Sequence, residues 1–164
     1  MKVLALMAVS LLLGACSGAG STASPSAATT QPSASVTSAP PADAWGPLAV
    51  RPPEDGADTA RTEGTLRITD SCVYLEAAGE VTLLTWPANR TTWNGASHTI
   101  TFANSDGTVV TIGNGEHGVF GGSGDSEAES GISSQEWVNE RDWVAPPAST
   151  CSLDSRWGIG AVEG

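Results

Sequence analysis

The stretch GTLRITDSCVYLEAAGEVTLLTWP, Gly64 to Pro87, sets the class of the fold. Leu66 and Ile68 alternate with Arg67 and Thr69. Val73 and Leu75 fall opposite Cys72 and Tyr74, and Val81 and Leu83 fall opposite Leu84 and Trp86. Short, β-branched runs with a period of two are the pattern of strands, not helices. Ala78-Gly79 separates two of the runs and reads as a turn, and Pro87 ends the third because it has no amide to give a ladder. Downstream, HTITFA places Ile100 and Phe102 inward, and TVVTI follows it. Ser105-Asp106-Gly107 lies between them, and Asp-Gly between alternating runs signals a hairpin because Gly accepts positive φ.

One helix is expected in ISSQEWVNERDW. Ser133 precedes Glu136 by three residues, a capping-box spacing, and Ile132 with Trp137 fits a hydrophobic staple. It should stop before Pro146-Pro147. The chain then passes Cys151 and closes with RWGIGAV, a last strand weakened by its glycines. The expectation is a mainly β domain over residues 64–164, of about six short strands and one short helix. A small barrel of OB-like arrangement and a compact sandwich both suit it, and barrel closure would hide edges that otherwise invite aggregation.

Ahead of the domain the composition changes. From Ser17 to Ala44 the chain is Ser, Thr, Ala, Pro and Gly with almost no large apolar side chain. Such a segment cannot bury enough surface to offset its ordering entropy. Residues 16–63 are therefore expected to be a disordered tether, with Trp45 and Leu48 as residues able to dock. A flexible chain of this length reaches about 35–40 Å.

The first residues carry a lysine, Lys2, then an apolar run from Val3 to Leu13. This is too short for a bilayer span, which needs about 20 residues, and has the size of a secretory h-region. It ends Leu13-Gly14-Ala15-Cys16. This leader resembles that of a bacterial lipoprotein, whose lipobox has a Leu, two small residues and Cys. The resemblance implies a signal peptide over residues 1–15, cleavage before Cys16, a diacylglycerol on the Cys16 sulfur, and a place on the outer face of the cell membrane. Two acyl chains hold a protein stably, whereas one does so only marginally. The pattern GTLRITDSCVYLE…LLTWP…DGTVVTIG also looks like a domain of uncharacterised lipoproteins of high-GC Gram-positive bacteria. That likeness carries no catalytic residues.

An exported setting preserves disulfides. With Cys16 lipidated, Cys72 and Cys151 are the remaining cysteines and the expected bridge. No Cys-x-x-Cys spacing supports the rival reading, a zinc site.

The chain has 7 basic and 18 acidic residues and a net charge of −11. That balance opposes nucleic acid, whose phosphates need basic partners, and anionic headgroups. The expected partners are the membrane, through the lipid on Cys16, and a cell-envelope ligand or protein.

The search for chemistry yields few candidates. GNGEHGVFGGSGDSEAES, Gly113 to Ser130, is Gly-rich and acidic, and reads as a mobile connection. It lacks the Gly-Lys-Ser/Thr of a phosphate loop, and Asp125 replaces the last Gly of a hydrolase elbow around Ser123. His117, Asp125, Glu127 and Glu129 are weak metal candidates, since no calcium-loop pattern organises them. Six tryptophans are many for 164 residues. In WPANRTTW, Trp86, Arg90 and Trp93 flank an expected loop and are the candidate ligand contacts. No cofactor motif is present, and no nucleophile, base and orienter assemble in the sequence. A non-catalytic binding domain is the first expectation, with an envelope hydrolase or metal-dependent enzyme using His117 and the acidic loop as the alternative.

Overall fold

The computed structural model describes residues 42–56 and 60–163. The leader, Cys16 and the tether up to residue 41 lie outside them.

The described part is mainly β. In chain order it runs through a 3₁₀ turn (Ala42–Trp45), β1 (Ala49–Arg51), β2 (Ala60–Ile68), β3 (Val73–Ala77), β4 (Glu80–Pro87), β5 (Thr91–Asn94), β6 (Thr99–Ala103), β7 (Val109–Gly113), β8 (His117–Ser126), α1 (Glu127–Ser130), α2 (Ser134–Asn139) and β9 (Ser155–Glu163). β2, β3 and β4 form an antiparallel meander, β8 pairs with β2, β9 pairs with β8, and β9 closes on β4 in parallel. The result is a closed barrel of five strands. Numbered within the barrel, the strand order is 1-2-3-5-4-1 with a parallel closure, which is the OB-like alternative, and the sandwich falls away. Closure gives every barrel strand a neighbour on each side along part of its length and so removes the two open edges of a flat sheet.

The local signals translate directly. Ala78 and Gly79 both take positive φ in the β3–β4 turn. Gly107, at φ +87°, turns β6 into β7, and Asp106 Oδ1 accepts from the Thr108 amide at 2.9 Å. Ser133 caps α2, its hydroxyl accepting from the Glu136 amide at 3.3 Å.

Burial on both sides of the barrel wall explains why β3 and β4 are so apolar. Val73, Leu75, Leu84 and Trp86 face the main core with Leu66, Phe120, Ile159 and Val162. The β5–β7 sheet, inserted between β4 and β8, adds Ile100, Phe102 and Ile112 to that core. Cys72, Tyr74 and Leu83 face outward, into a second cluster completed by Ala49, Trp143, Cys151 and Leu153. Cys72 and Cys151 are disulfide-bonded, with Cα atoms 5.8 Å apart. The bridge clamps the segment before β9 onto the outside of β3, where the Ser152 amide also donates to the Tyr74 hydroxyl at 2.8 Å.

Three sequence expectations change. The folded region starts before Gly64: Trp45, Leu48 and Val50 are buried in the main core, and β1 pairs in parallel with β4. A run rich in Pro and acidic residues is drawn in because a few large apolar side chains outweigh its poor propensity. WPANRTTW is not a loop throughout, since β5 begins at Thr91. The Gly-rich segment is not a mobile connection. It forms the ten-residue β8, followed by the helical turn α1. Its glycines let neighbouring backbones approach where a side chain would not fit. A Cβ on Gly124 would stand 2.6 Å from the Arg156 carbonyl oxygen and 2.5 Å from the Trp157 ring, and one on Gly122 would overlap the Gly158 carbonyl.

Candidate functional site

The last turn of β8 and the start of β9 run side by side, with Gly124 opposite Trp157 and Asp125 opposite Arg156. β1 brings Arg51 over Gly158, close enough that a Cβ on Gly158 would lie 3.1 Å from the guanidinium carbon. α2 and the residues after it supply Trp137, Arg141 and Asp142. Together these groups line a cleft of about 390 Å³. A second hollow shares Arg51, Glu54, Ser123 and Gly158 with it.

Three of the chain's six arginines meet here. Arg156 is buried, with 2% of its side chain exposed. Its Nε donates to Asp125 Oδ1 at 2.6 Å and its Nη2 to Ser130 Oγ at 3.2 Å. Arg51 donates from Nη1 to Glu54 Oε1 at 2.5 Å and from Nη2 to the Ile159 carbonyl at 3.2 Å. Burial pushes the Arg51 guanidinium below its ordinary value; Glu54 opposes that shift, and Arg141 and Arg90 add to it. It stays charged, since arginine does not deprotonate in proteins. Arg141 is different. Its nearest carboxylate oxygen is Asp125 Oδ2 at 3.7 Å, and it makes no hydrogen bond among the described residues. The Arg141 and Arg156 guanidinium carbons stand 4.7 and 4.9 Å from the centroid of Trp137. Cation–π contact of this kind holds both cations in place and occupies the indole.

Two acidic candidates from the sequence serve as structural caps. Glu127 Oε2 accepts from the Ser134 amide at 3.1 Å and its hydroxyl at 2.9 Å. Glu129 Oε2 accepts from Ser126 Oγ at 2.9 Å. His117 opens β8 and Asp125 lies near its end, so a strand of eight steps separates them by roughly 25 Å. His117, Asp125 and Glu127 therefore do not form one site, and no group of three or more His, Cys, Asp or Glu side chains suited to a metal occurs among the described residues.

Trp86, Arg90 and Trp93 are also not a ligand surface. Trp86 has no exposed area. Arg90 lies 5.0 Å over the Phe102 ring and donates to the Gly56 carbonyl at 3.1 Å. Trp93 packs on Gly46 and edge-on to His98, with ring centroids 5.8 Å apart. All three hold the β5–β6 hairpin and the segment before β2 against the barrel.

The arginines of the cleft escape sequence reasoning because they lie about 90 and 15 residues apart along the chain. The available signal was Arg156 itself, a charge ahead of the apolar and glycine run WGIGAV, where an apolar residue would bury at no electrostatic cost. With fold and cleft described, comparison with protein-family models, curated proteins and solved structures gives no match to this chain.

Proposed function

We propose that this protein is a lipid-anchored envelope protein whose barrel is a non-catalytic binding domain, with the arginine-lined cleft as its ligand seat. The observation that carries the reading is the gathering of Arg51, Arg141 and Arg156 in one hollow of a strongly acidic chain, the last two over the Trp137 ring. Burying an arginine costs several kcal/mol, of order 3–5 if its partner is then lost. A surface ion pair would hold the same segments together at far lower cost. Asp125 and Arg156 sit on the paired barrel strands β8 and β9, which keeps that wall of the cleft ready for a ligand. The leader, the lipobox Cys16 and the tether supply the anchor in this reading, and the net charge keeps the domain off anionic headgroups.

Two measurements test it. Membrane fractionation of the full chain should show that Cys16→Ser releases the protein; retention of the variant in the membrane fraction refutes the anchor. Cell-wall fragments of a high-GC Gram-positive bacterium should retain the detergent-solubilised full chain and lose it on Arg141→Ala. Arg67→Ala, an exposed arginine paired with Glu76 on β2 and β3, is the control. Equal retention of both variants would remove the cleft from the proposal.

A further inference from the structure

We propose that the cleft recognises a carboxylate group, with Arg141 as the guanidinium that receives it. This rests on the reading of the cleft as a ligand seat and names the chemistry it takes.

The cleft already holds three carboxylates of its own, two of them seated on arginines. Glu54 is seated on Arg51 and Asp125 on Arg156. Arg141 is the cation left without a hydrogen-bonded partner among the described residues, and 40% of its side chain is exposed. The surrounding groups add to the same demand. Arg156 Nη1, Arg51 Nε and Trp137 Nε1 are buried donors with no partner among the described residues, as are Arg90 Nε and Nη1 and the indole nitrogens of Trp45, Trp86 and Trp157 outside the lining. A buried donor left unpaired costs about 1–3 kcal/mol, so what the cleft needs is acceptor oxygen. Both guanidinium groups already lie over the indole of Trp137, so sugar stacking on that ring is not the mode of recognition.

Charge narrows the kind of acceptor. Arg51, Arg141 and Arg156 are matched by Glu54, Asp125 and Asp142 along the lining. A monocarboxylate or a phosphodiester adds one negative charge to this balanced set, whereas a phosphate monoester near neutral pH adds close to two. The charge count therefore disfavours the monoester, and the wall-fragment test decides between carboxylate and diester. A carboxylate also fits the planar, two-pronged guanidinium edge through paired N–H···O bonds. The stem peptides and acidic sugars of an envelope both carry that group.

The test compares wall fragments whose anions have been removed by class. Untreated fragments are set beside fragments with carboxyl groups converted to neutral amides, and beside fragments stripped of phosphodiester polymers by hydrofluoric acid. Retention of the full chain should fall at least tenfold on amidation and stay within twofold after phosphodiester removal. Arg141→Ala should lose at least tenfold on untreated fragments, with Arg67→Ala unchanged and both variants melting as the parent does. Retention that survives amidation, or that falls with the phosphodiesters, overturns the carboxylate assignment. If retention depends on Arg141 yet ignores amidation, only the assignment fails. If untreated fragments retain nothing, the ligand-seat reading fails, and the assignment with it.

Discussion

Gly124→Ala separates two pictures of the Gly-rich acidic segment by the size of a stability change. In a mobile connection the residue is as free folded as unfolded, so Ala restricts both states alike and the stability stays nearly unchanged. In β8 the new methyl carbon stands 2.5 Å from Trp157 Cε3 and 2.6 Å from the Arg156 carbonyl oxygen. Carbon atoms in contact prefer about 3.5–4.0 Å, so each neighbour must retreat by roughly 1 Å. The Trp157 ring has some freedom, but the Arg156 carbonyl belongs to the paired strand. Overpacking against such a wall costs about 1–3 kcal/mol, and the backbone obstacle places this case in the upper half of that range. At roughly 3–5 °C per kcal/mol for a domain of this size, the melting temperature should drop by about 6–15 °C. The assay is urea unfolding followed by tryptophan fluorescence, with Gly56→Ala alongside, because a Cβ on Gly56 meets nothing within 4 Å. A Gly124→Ala protein as stable as its parent, or more so, would refute the close-packed β8–β9 ladder. It would also undo the cleft, since the strand that fails to pack is the one that holds Arg156.

Other consequences are as direct. Replacing both Cys72 and Cys151 by Ser opens a loop of 79 residues and should cost up to about 4.5 kcal/mol by chain entropy, read from urea midpoints of oxidised parent and variant; a loss under 1 kcal/mol contradicts the clamp. Asp125→Ala leaves Arg156 buried without its main partner and should destabilise by about 2–3 kcal/mol, less than the 3–5 of a fully buried pair because Asp125 is a third exposed; Asp125→Ala with Arg156→Met should recover part of that loss in the same assay. Bonds from the Thr108 hydroxyl and then its amide hold the Asp106 carboxyl below its ordinary value of 3.8. Its support for the β6–β7 turn is therefore full above that pH and fades as acid protonates it at the lower folded value. A carbon-detected NMR titration should show this depressed midpoint, and Thr108→Val should raise it; an unmoved midpoint contradicts the cause.

What was legible in the sequence is what depends on near neighbours. Side chains alternate across a strand whatever it pairs with, so Leu66, Leu75, Ile100 and Phe102 declared their inward face before any partner was known. Asp106-Gly107 and Ser133–Glu136 act within four residues, and both did what their chemistry requires. The Cys72–Cys151 bridge was expected once the resemblance to lipoproteins had set Cys16 aside. Tertiary structure decided the rest, because the forces there join residues far apart in the chain. Parallel closure of β4 on β9 settled barrel over sandwich. Burial of Trp45, Leu48 and Val50 moved the start of the domain back from Gly64. Glycines that weaken an isolated strand became the reason β8 fits against β9. Trp86, Arg90 and Trp93, promising as a surface motif, were taken up by packing, and Arg51, Arg141 and Arg156 met only once the barrel had closed. Periodicity shows which face of a strand turns inward, but a cleft depends on which strands stand beside one another, and that emerges only when the whole chain buries its core together.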